Sequence, residues 1–189
     1  MNNARTIFFV GKPGCGKGTQ AKRLAALTSW PIISAGGQFR AIAAEDTPVG
    51  KKVKEEYDAG LLQPHWLAMY LYLKALFSLP ADANVIFDGF NRKEQEAQLV
   101  VDSLAWLGRS CVVVNLAISD EVSHARIAKR SEIDVRADDL NVDQRLIEYR
   151  VHTEPAIALF RAQGTLIDID GEQDEEAIAK SIAEALELS

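Results

Sequence analysis

Cysteine is nearly absent from this chain: Cys15 and Cys111 are the only two among 189 residues. Neither a disulfide framework nor a cysteine-based metal site can be built from them. Histidine is almost as scarce, and His65, His124 and His152 fall at no ligand-like spacing. No apolar run approaches the roughly 18 residues that cross a bilayer. Met1–Arg5 lacks the apolar core and cleavage site of a signal peptide and leads straight into a strand-like run. These absences set the expectation of a cytoplasmic protein with no membrane partner. Positive charge is also in deficit, with 21 Lys and Arg against 27 Asp and Glu and a net charge of −6. That balance argues against a general nucleic-acid binder, so any anion site must be made locally. What is left, 48% hydrophobic and 25% charged, is an ordinary globular composition for one large domain or a domain with a small insert. There is no internal repeat and no disordered linker.

Glycine is plentiful in one place. Gly11-Lys12-Pro13-Gly14-Cys15-Gly16-Lys17-Gly18-Thr19-Gln20 follows the apolar run Thr6–Val10 and precedes the helical pattern Ala21–Leu27. Strand, glycine-rich turn and a helix opening on lysine form the context that a phosphate-binding loop requires. The glycines let successive N–H groups point at an anion, and the helix N-terminus adds partial positive charge. Lys17 can reach the terminal phosphates of a nucleotide, and Thr19 supplies a hydroxyl where Mg²⁺ would sit.

The rest of the chain alternates strands and helices. Trp30–Ile33 reads as a second strand, and Ser34 caps a helix over Gly36–Ala44. Asp46–Gly50 reads as a turn, Lys51–Ala59 as a charged helix closed by Gly60, and Pro64–Phe77 as an apolar helix. The aromatic stripe Trp66, Tyr70 and Phe77 is assigned to core packing. Asn84–Gly89 reads as a buried strand ending in Asp88, a position suited to Mg²⁺ and water. A helix over Arg92–Leu107, a β-branched strand over Cys111–Leu116 and helices over Asp120–Arg130 and Val142–Ala162 follow. A last strand, Thr165–Ile169, and a helix, Glu175–Leu186, complete an α/β doubly wound fold with five parallel strands.

Arginines near the strand ends point to an acceptor. Arg40, Arg92, Arg126, Arg130, Arg136 and Arg145 recur beside or between the predicted elements. One such arginine is an ordinary solvated charge, but a cluster suits two phosphate chains and a charged transition state. Phosphoryl transfer asks mainly for such positioning and electrostatics.

Over essentially its whole length the chain resembles the adenylate kinase-type nucleoside monophosphate kinases, in their short-lid form. The resemblance rests on Gly11–Gln20, Ile33–Arg40, Asp58–Leu62, Asp88-Gly89-Phe90-Asn91-Arg92, Arg126–Arg130, Arg136–Asp139, Gln144-Arg145-Leu146 and Thr153-Glu154-Pro155, in that order. It implies a P-loop three-layer sandwich that transfers the γ-phosphoryl of Mg·ATP to AMP or a related (deoxy)nucleoside monophosphate. By position, Gly14, Cys15, Gly16, Lys17, Gly18, Thr19, Arg126 and Gln173 would hold ATP, with Arg126 stacked on its base. Ser34, Ala35, Arg40, Leu62, Gln63, Gly89, Arg92 and Glu96 would hold the acceptor, Arg40 and Arg92 clamping its phosphate. Lys17, Arg92, Arg130, Arg136 and Arg145 would be catalytic, and Thr19 and Asp88 would serve Mg²⁺, Asp88 through water. Residues 36–69 would form the acceptor-binding subdomain and residues 131–141 a lid too short for the zinc-bearing version. A monomer is the implied state.

Departures from the family pattern gather at the acceptor pocket. Ala35 stands for the usual Thr, Gly37 for Asp, Asn91 for Pro, Gln63 for a small apolar residue and Glu96 for Gln. Val135 replaces a glycine before the lid arginine. A glutamine donates and accepts, and so satisfies adenine's amine and a ring nitrogen together, whereas an ionised glutamate only accepts. Glu96 could take the exocyclic amine of adenine or cytosine, or guanine's paired N–H groups, and altered or relaxed base selectivity is expected. The alternative keeps Glu96 in solvent while Gln95 or Gln98 reads the base after a small helix shift. Two rival functions remain at this point: a phosphate-loop kinase of another small acceptor, such as shikimate or gluconate, and a catalytically weakened nucleotide-binding module. The pair Arg40 and Arg92 weighs against the first, and the retained Lys17, Arg130, Arg136 and Arg145 against the second.

Overall fold

The computed structural model describes residues 5–132 and 141–188. Its centre is β1 (Arg5–Gly11), buried from Thr6 onward because side chains on both faces are apolar. Ile7 and Phe9 enter one core and Phe8 and Val10 the other, as expected of a central parallel strand covered on both sides. β1 pairs in parallel with β3 (Val85–Asp88), Phe9 facing Asp88, and with β4 (Ser110–Ala117), Gly11 facing Leu116. β2 (Ile32–Ser34) and β5 (Leu166–Asp170) complete a five-stranded sheet in the order β2-β3-β1-β4-β5.

One face of the sheet is covered by α1 (Lys17–Thr28) and α9 (Glu175–Ala185), which contribute Ala21, Leu24, Ile178 and Ile182. The other, larger core joins the sheet to α2 (Ala35–Ala43), α3 (Pro48–Asp58), α4 (His65–Phe77), α5 (Glu94–Leu107) and α8 (Glu154–Ala162). At its middle Phe8 stacks on Phe87 with 5.1 Å between ring centroids, and Tyr72 meets Phe87 edge-on at 5.2 Å. Offset and edge-on aromatic pairs of this kind add about 0.5–1.5 kcal/mol beyond burial.

The α/β class and all five strands agree with the sequence reading, and four local differences have physical causes. First, Thr47 accepts from the Gly50 N–H and Pro48 takes the first helical position, so α3 begins inside the predicted turn. Second, α5 starts at Glu94 because Asn91 adopts φ 64° and leaves Asn91 and Arg92 outside the helix. Third, the predicted helix 142–162 is broken: α7 (Val142–Glu148) passes through a π-helical turn, Tyr149–Thr153, into α8. Fourth, the aromatic stripe of α4 is not in the core. Trp66, Tyr70 and Phe77 are 62%, 57% and 58% exposed, while Leu67, Ala68, Met69, Leu71, Tyr72 and Leu76 are buried. The helix is apolar almost all round, so spacing alone does not reveal which side meets the sheet. The Ser34 cap does form, its hydroxyl accepting the Gly37 N–H at 3.2 Å. Gly60, at φ 75°, passes the chain out of α3 as Leu61 N–H reaches back to Glu56 O.

Candidate active site

The strands point their carboxyl ends at one cleft of about 960 Å³, where α/β sheets place their ligands. Between β1 and α1 the chain turns through Gly11, Gly14 and Gly16 at φ 136°, 76° and 95°. A Cβ at Gly11 would lie 2.6 Å from Leu116 O and 2.9 Å from Cys15 Sγ, so only glycine fits there. Ser123 of α6 (Asp120–Ser131) secures the loop from outside, donating to Pro13 O at 2.6 Å. Lys17 curls back over this loop: its ammonium donates to Gly11 O at 2.8 Å, Lys12 O at 2.9 Å and Cys15 Sγ at 3.3 Å. Burial lowers the Lys17 pKa; nearby Arg92 lowers it further, while Cys15 and Asp88 act in the opposite sense. Asp88 faces the loop, its Oδ2 3.5 Å from where a Gly18 Cβ would stand.

Across the cleft, Arg92 is held at three points. Its N–H donates to Glu96 Oε2 at 2.8 Å, its Nε–H to Gly89 O at 2.9 Å, and its carbonyl accepts from Thr153 Oγ1 at 3.1 Å. Gly89, at φ 80°, leaves room for the guanidinium, whose terminal nitrogen lies 3.0 Å from the missing Cβ. Arg40 of α2 reaches Tyr57 of α3, donating to its hydroxyl at 3.0 Å. Leu62 N–H meets Glu148 Oε2 at 3.2 Å and ties the α3–α4 connection to α7. At the other end Arg126 donates to Gly171 O at 2.6 Å and to Glu172 O and Gln173 O at 3.4 Å, bracing the turn after β5.

Every residue singled out as a site residue from the sequence lines this cleft, except Arg136, which lies outside the described residues. Gly14–Thr19, Arg126 and Gln173, Ser34 and Ala35, Arg40, Leu62 and Gln63, Asp88, Gly89 and Arg92, Glu96, Arg130 and Arg145 thus share one space. Glu96 is 3% exposed, while Gln95 and Gln98 are exposed and Gln98 bonds Asp102. Of these three side chains it is Glu96 that the fold turns inward. Sequence reasoning assigned no task to Thr153, Tyr57 or Glu148, which brace Arg92, Arg40 and Leu62. The signal for Thr153 was present in the Thr153-Glu154-Pro155 motif, but no spacing ties it to Arg92.

The adenylate kinase family profile matches residues 9–165. The chain is 37% identical over 185 residues to "Adenylate kinase 1" of Synechocystis sp., covering 96% of this chain and 97% of that protein. It is 36% identical to the adenylate kinase of Maricaulis maris, covering 96% and 98%. With that of Thermobifida fusca the identity is 35%, covering 95% and 97%. The chain belongs to the adenylate kinase family and is a nucleoside monophosphate kinase.

Proposed function

We propose that the cleft binds Mg·ATP on the loop 11–19 and AMP or a related (deoxy)nucleoside monophosphate on the α2–α4 side, and passes the γ-phosphoryl between them. The observation that carries this reading is that Lys17, Asp88, Arg40, Arg92, Arg130 and Arg145 all line one cleft. Loop amides and the α1 N-terminus receive the ATP phosphates. Arg126, Lys17 and Gln173 orient that nucleotide, and Arg40 and Arg92 clamp the acceptor phosphate. Arg130 and Arg145, with Arg136, surround the charge that spreads over the transferring group. Arginine suits this task because it stays charged and binds oxygens in pairs.

Mg²⁺ prefers oxygen donors and keeps several waters, so one hydroxyl and one carboxylate beside phosphates suffice. Thr19 at the start of α1 and Asp88 at the end of β3 match that donor set and line the same cleft. The ion, when bound, supplies charge neutralisation to the phosphates. Residues 36–69 close over the substrates and exclude water, since an open site would lose ATP to hydrolysis; most of the lid expected at 131–141 lies outside the described residues. The net charge of −6 and the absence, among the described residues, of a helix long and apolar enough to cross a membrane support a cytoplasmic enzyme without nucleic-acid or membrane partners. We read it as a monomer, which sedimentation checks. The test of function is a coupled assay with ATP and a panel of nucleoside monophosphates, on the native protein and on Lys17→Met. Turnover is expected in the first and none in the second; full turnover by Lys17→Met would show the centre to be misassigned.

A further inference from the structure

Helix α6 holds the phosphate loop at three consecutive residues. At Lys12 the ammonium lies 2.7 Å from Asp120 Oδ1, in the first turn of the helix. At Pro13 the carbonyl accepts from the Ser123 hydroxyl at 2.6 Å. At Gly14 a Cβ would stand 3.0 Å from Ser123 O and 3.1 Å from Ile127 Cγ1, so loop and helix meet closely. The Lys12 carbonyl in turn accepts from the Lys17 ammonium at 2.9 Å and from the Cys15 N–H at 3.2 Å. Of these contacts Asp120 alone leads further, because its second oxygen, Oδ2, pairs with the Arg150 guanidinium. Arg150 belongs to the π-helical turn Tyr149–Thr153, whose Thr153 donates to the Arg92 carbonyl. One carboxylate therefore stands between the loop that carries Lys17 and the turn that anchors Arg92.

Resting on the ATP and nucleoside monophosphate reading above, we propose that Asp120 is a positioning residue for both phosphate sites, setting the loop through Lys12 and the Arg92 anchor through Arg150. A carboxylate has lone pairs enough for two cations, and here each oxygen takes one. A single exposed ion pair would do little. The Lys12 and Asp120 side chains are only 19% and 29% exposed, and in a three-membered network each pair fixes the geometry of the other. The N-terminal turn of α6 favours a negative charge at Asp120. Lys12, Asp120 and Arg150 do not line the cleft, so their effect on either substrate is indirect. Loop amides meet phosphate only while the loop keeps its curl, which makes the Lys12 arm a matter for ATP and the Arg150 arm a matter for the acceptor.

Substitutions of the three residues separate these arms, with Kd for ATP and for AMP each titrated without the other nucleotide, well below the melting temperature of every variant. Lys12→Met should weaken ATP on the order of fivefold, the size that an ion pair in a network reaches, and leave AMP unchanged. Arg150→Met should do the reverse, and Asp120→Asn should weaken both. Lys12→Arg, which keeps the charge, should recover most of the ATP affinity. In the Asp120→Asn background Lys12→Met should cost no further ATP affinity, since the two act through one contact. Unchanged Kd values in Asp120→Asn overturn the proposal. So do equal losses for both nucleotides in Lys12→Met and Arg150→Met, and so do additive losses in the double variant. Turnover is measured alongside: the expected Kd pattern in a protein that transfers no phosphoryl group would support the role of Asp120 and strike the kinase reading alone.

Discussion

Thr153 donates its hydroxyl hydrogen to the carbonyl of Arg92, 61 residues earlier in the chain, at 3.1 Å. With Glu96 on the N–H of the same residue and Gly89 O on its Nε–H, Arg92 is anchored at both ends of its backbone unit and at its side chain. Thr153 itself is 4% exposed and belongs to the π-helical turn between α7 and α8. One-turn π segments recur at functional sites, where they re-aim a side chain.

Thr153→Val keeps the shape and removes the donor, leaving the Arg92 carbonyl unpaired. The expected loss of stability is about 1–3 kcal/mol, read from denaturant unfolding. With Arg92 on the acceptor phosphate, as proposed, KM for the monophosphate should rise several-fold while KM for ATP holds. Thr153→Ser, which keeps the hydroxyl, should recover most of it. An equal rise in both KM values would assign Thr153 a general packing role.

Asn91 has φ 64° and is completely buried, with neither side-chain amide atom partnered among the described residues. Proline holds φ near −65°, so this backbone excludes it. Asn91→Pro should lower stability by roughly 3 kcal/mol or more and disturb the Arg92 anchor. Asn91→Gly, free in the left-handed region, should stay folded with a melting temperature close to the original. Thermal unfolding of the pair decides it, and an undiminished melting temperature for Asn91→Pro is the result that contradicts the backbone reading.

The two sides of α4 should respond differently to truncation. Tyr72 is fully buried among Phe8, Phe87 and Phe90, and Tyr72→Ala should cost about 3–5 kcal/mol, as large aromatic truncations in cores do. Trp66→Ala and Tyr70→Ala, on the exposed side, should stay within about 0.5 kcal/mol. Comparable losses on both sides would mean that the aromatic stripe is covered in solution.

Asp120 lies 2.7 Å from the Lys12 ammonium and also pairs with Arg150. The hydrogen bond from Lys12, with the charges of Lys12 and Arg150 adding, holds its carboxyl below the usual carboxylate range against the opposing effect of burial. The unfolded chain therefore binds this proton more readily, so the pair stabilises the fold above the ordinary carboxylate pKa. That stability is lost as pH falls through the lowered folded value. Asp120→Asn should flatten the pH dependence of stability in this acidic window. The gap from the unaltered protein should be widest near neutral pH and close at the acid end. A constant gap at all pH values would refute a charge-based role.

Much of the molecule was legible in the chain because its signals are local. Gly11–Gln20 between an apolar strand and a helix specifies its own geometry: the positive φ values at Gly11, Gly14 and Gly16 and the helix dipole lie within ten residues. Alternating strands and helices with two-sided apolar strands imply a covered parallel sheet, and Asp88 at a strand end is already placed by that sheet. Other features depend on which partner arrives from far away in sequence. The inward side of α4 is set by packing against Phe8 and Phe87, and a helix apolar all round carries no mark of it. Asn91's left-handed backbone, the late start of α5 and the inward turn of Glu96 form one arrangement, held by Arg92 against Gly89 and Thr153. Sequence by itself determined the sheet, the phosphate loop and the family; tertiary structure decided which of Gln95, Glu96 and Gln98 enters the cleft, because a buried carboxylate is tolerated only where backbone N–H groups meet it.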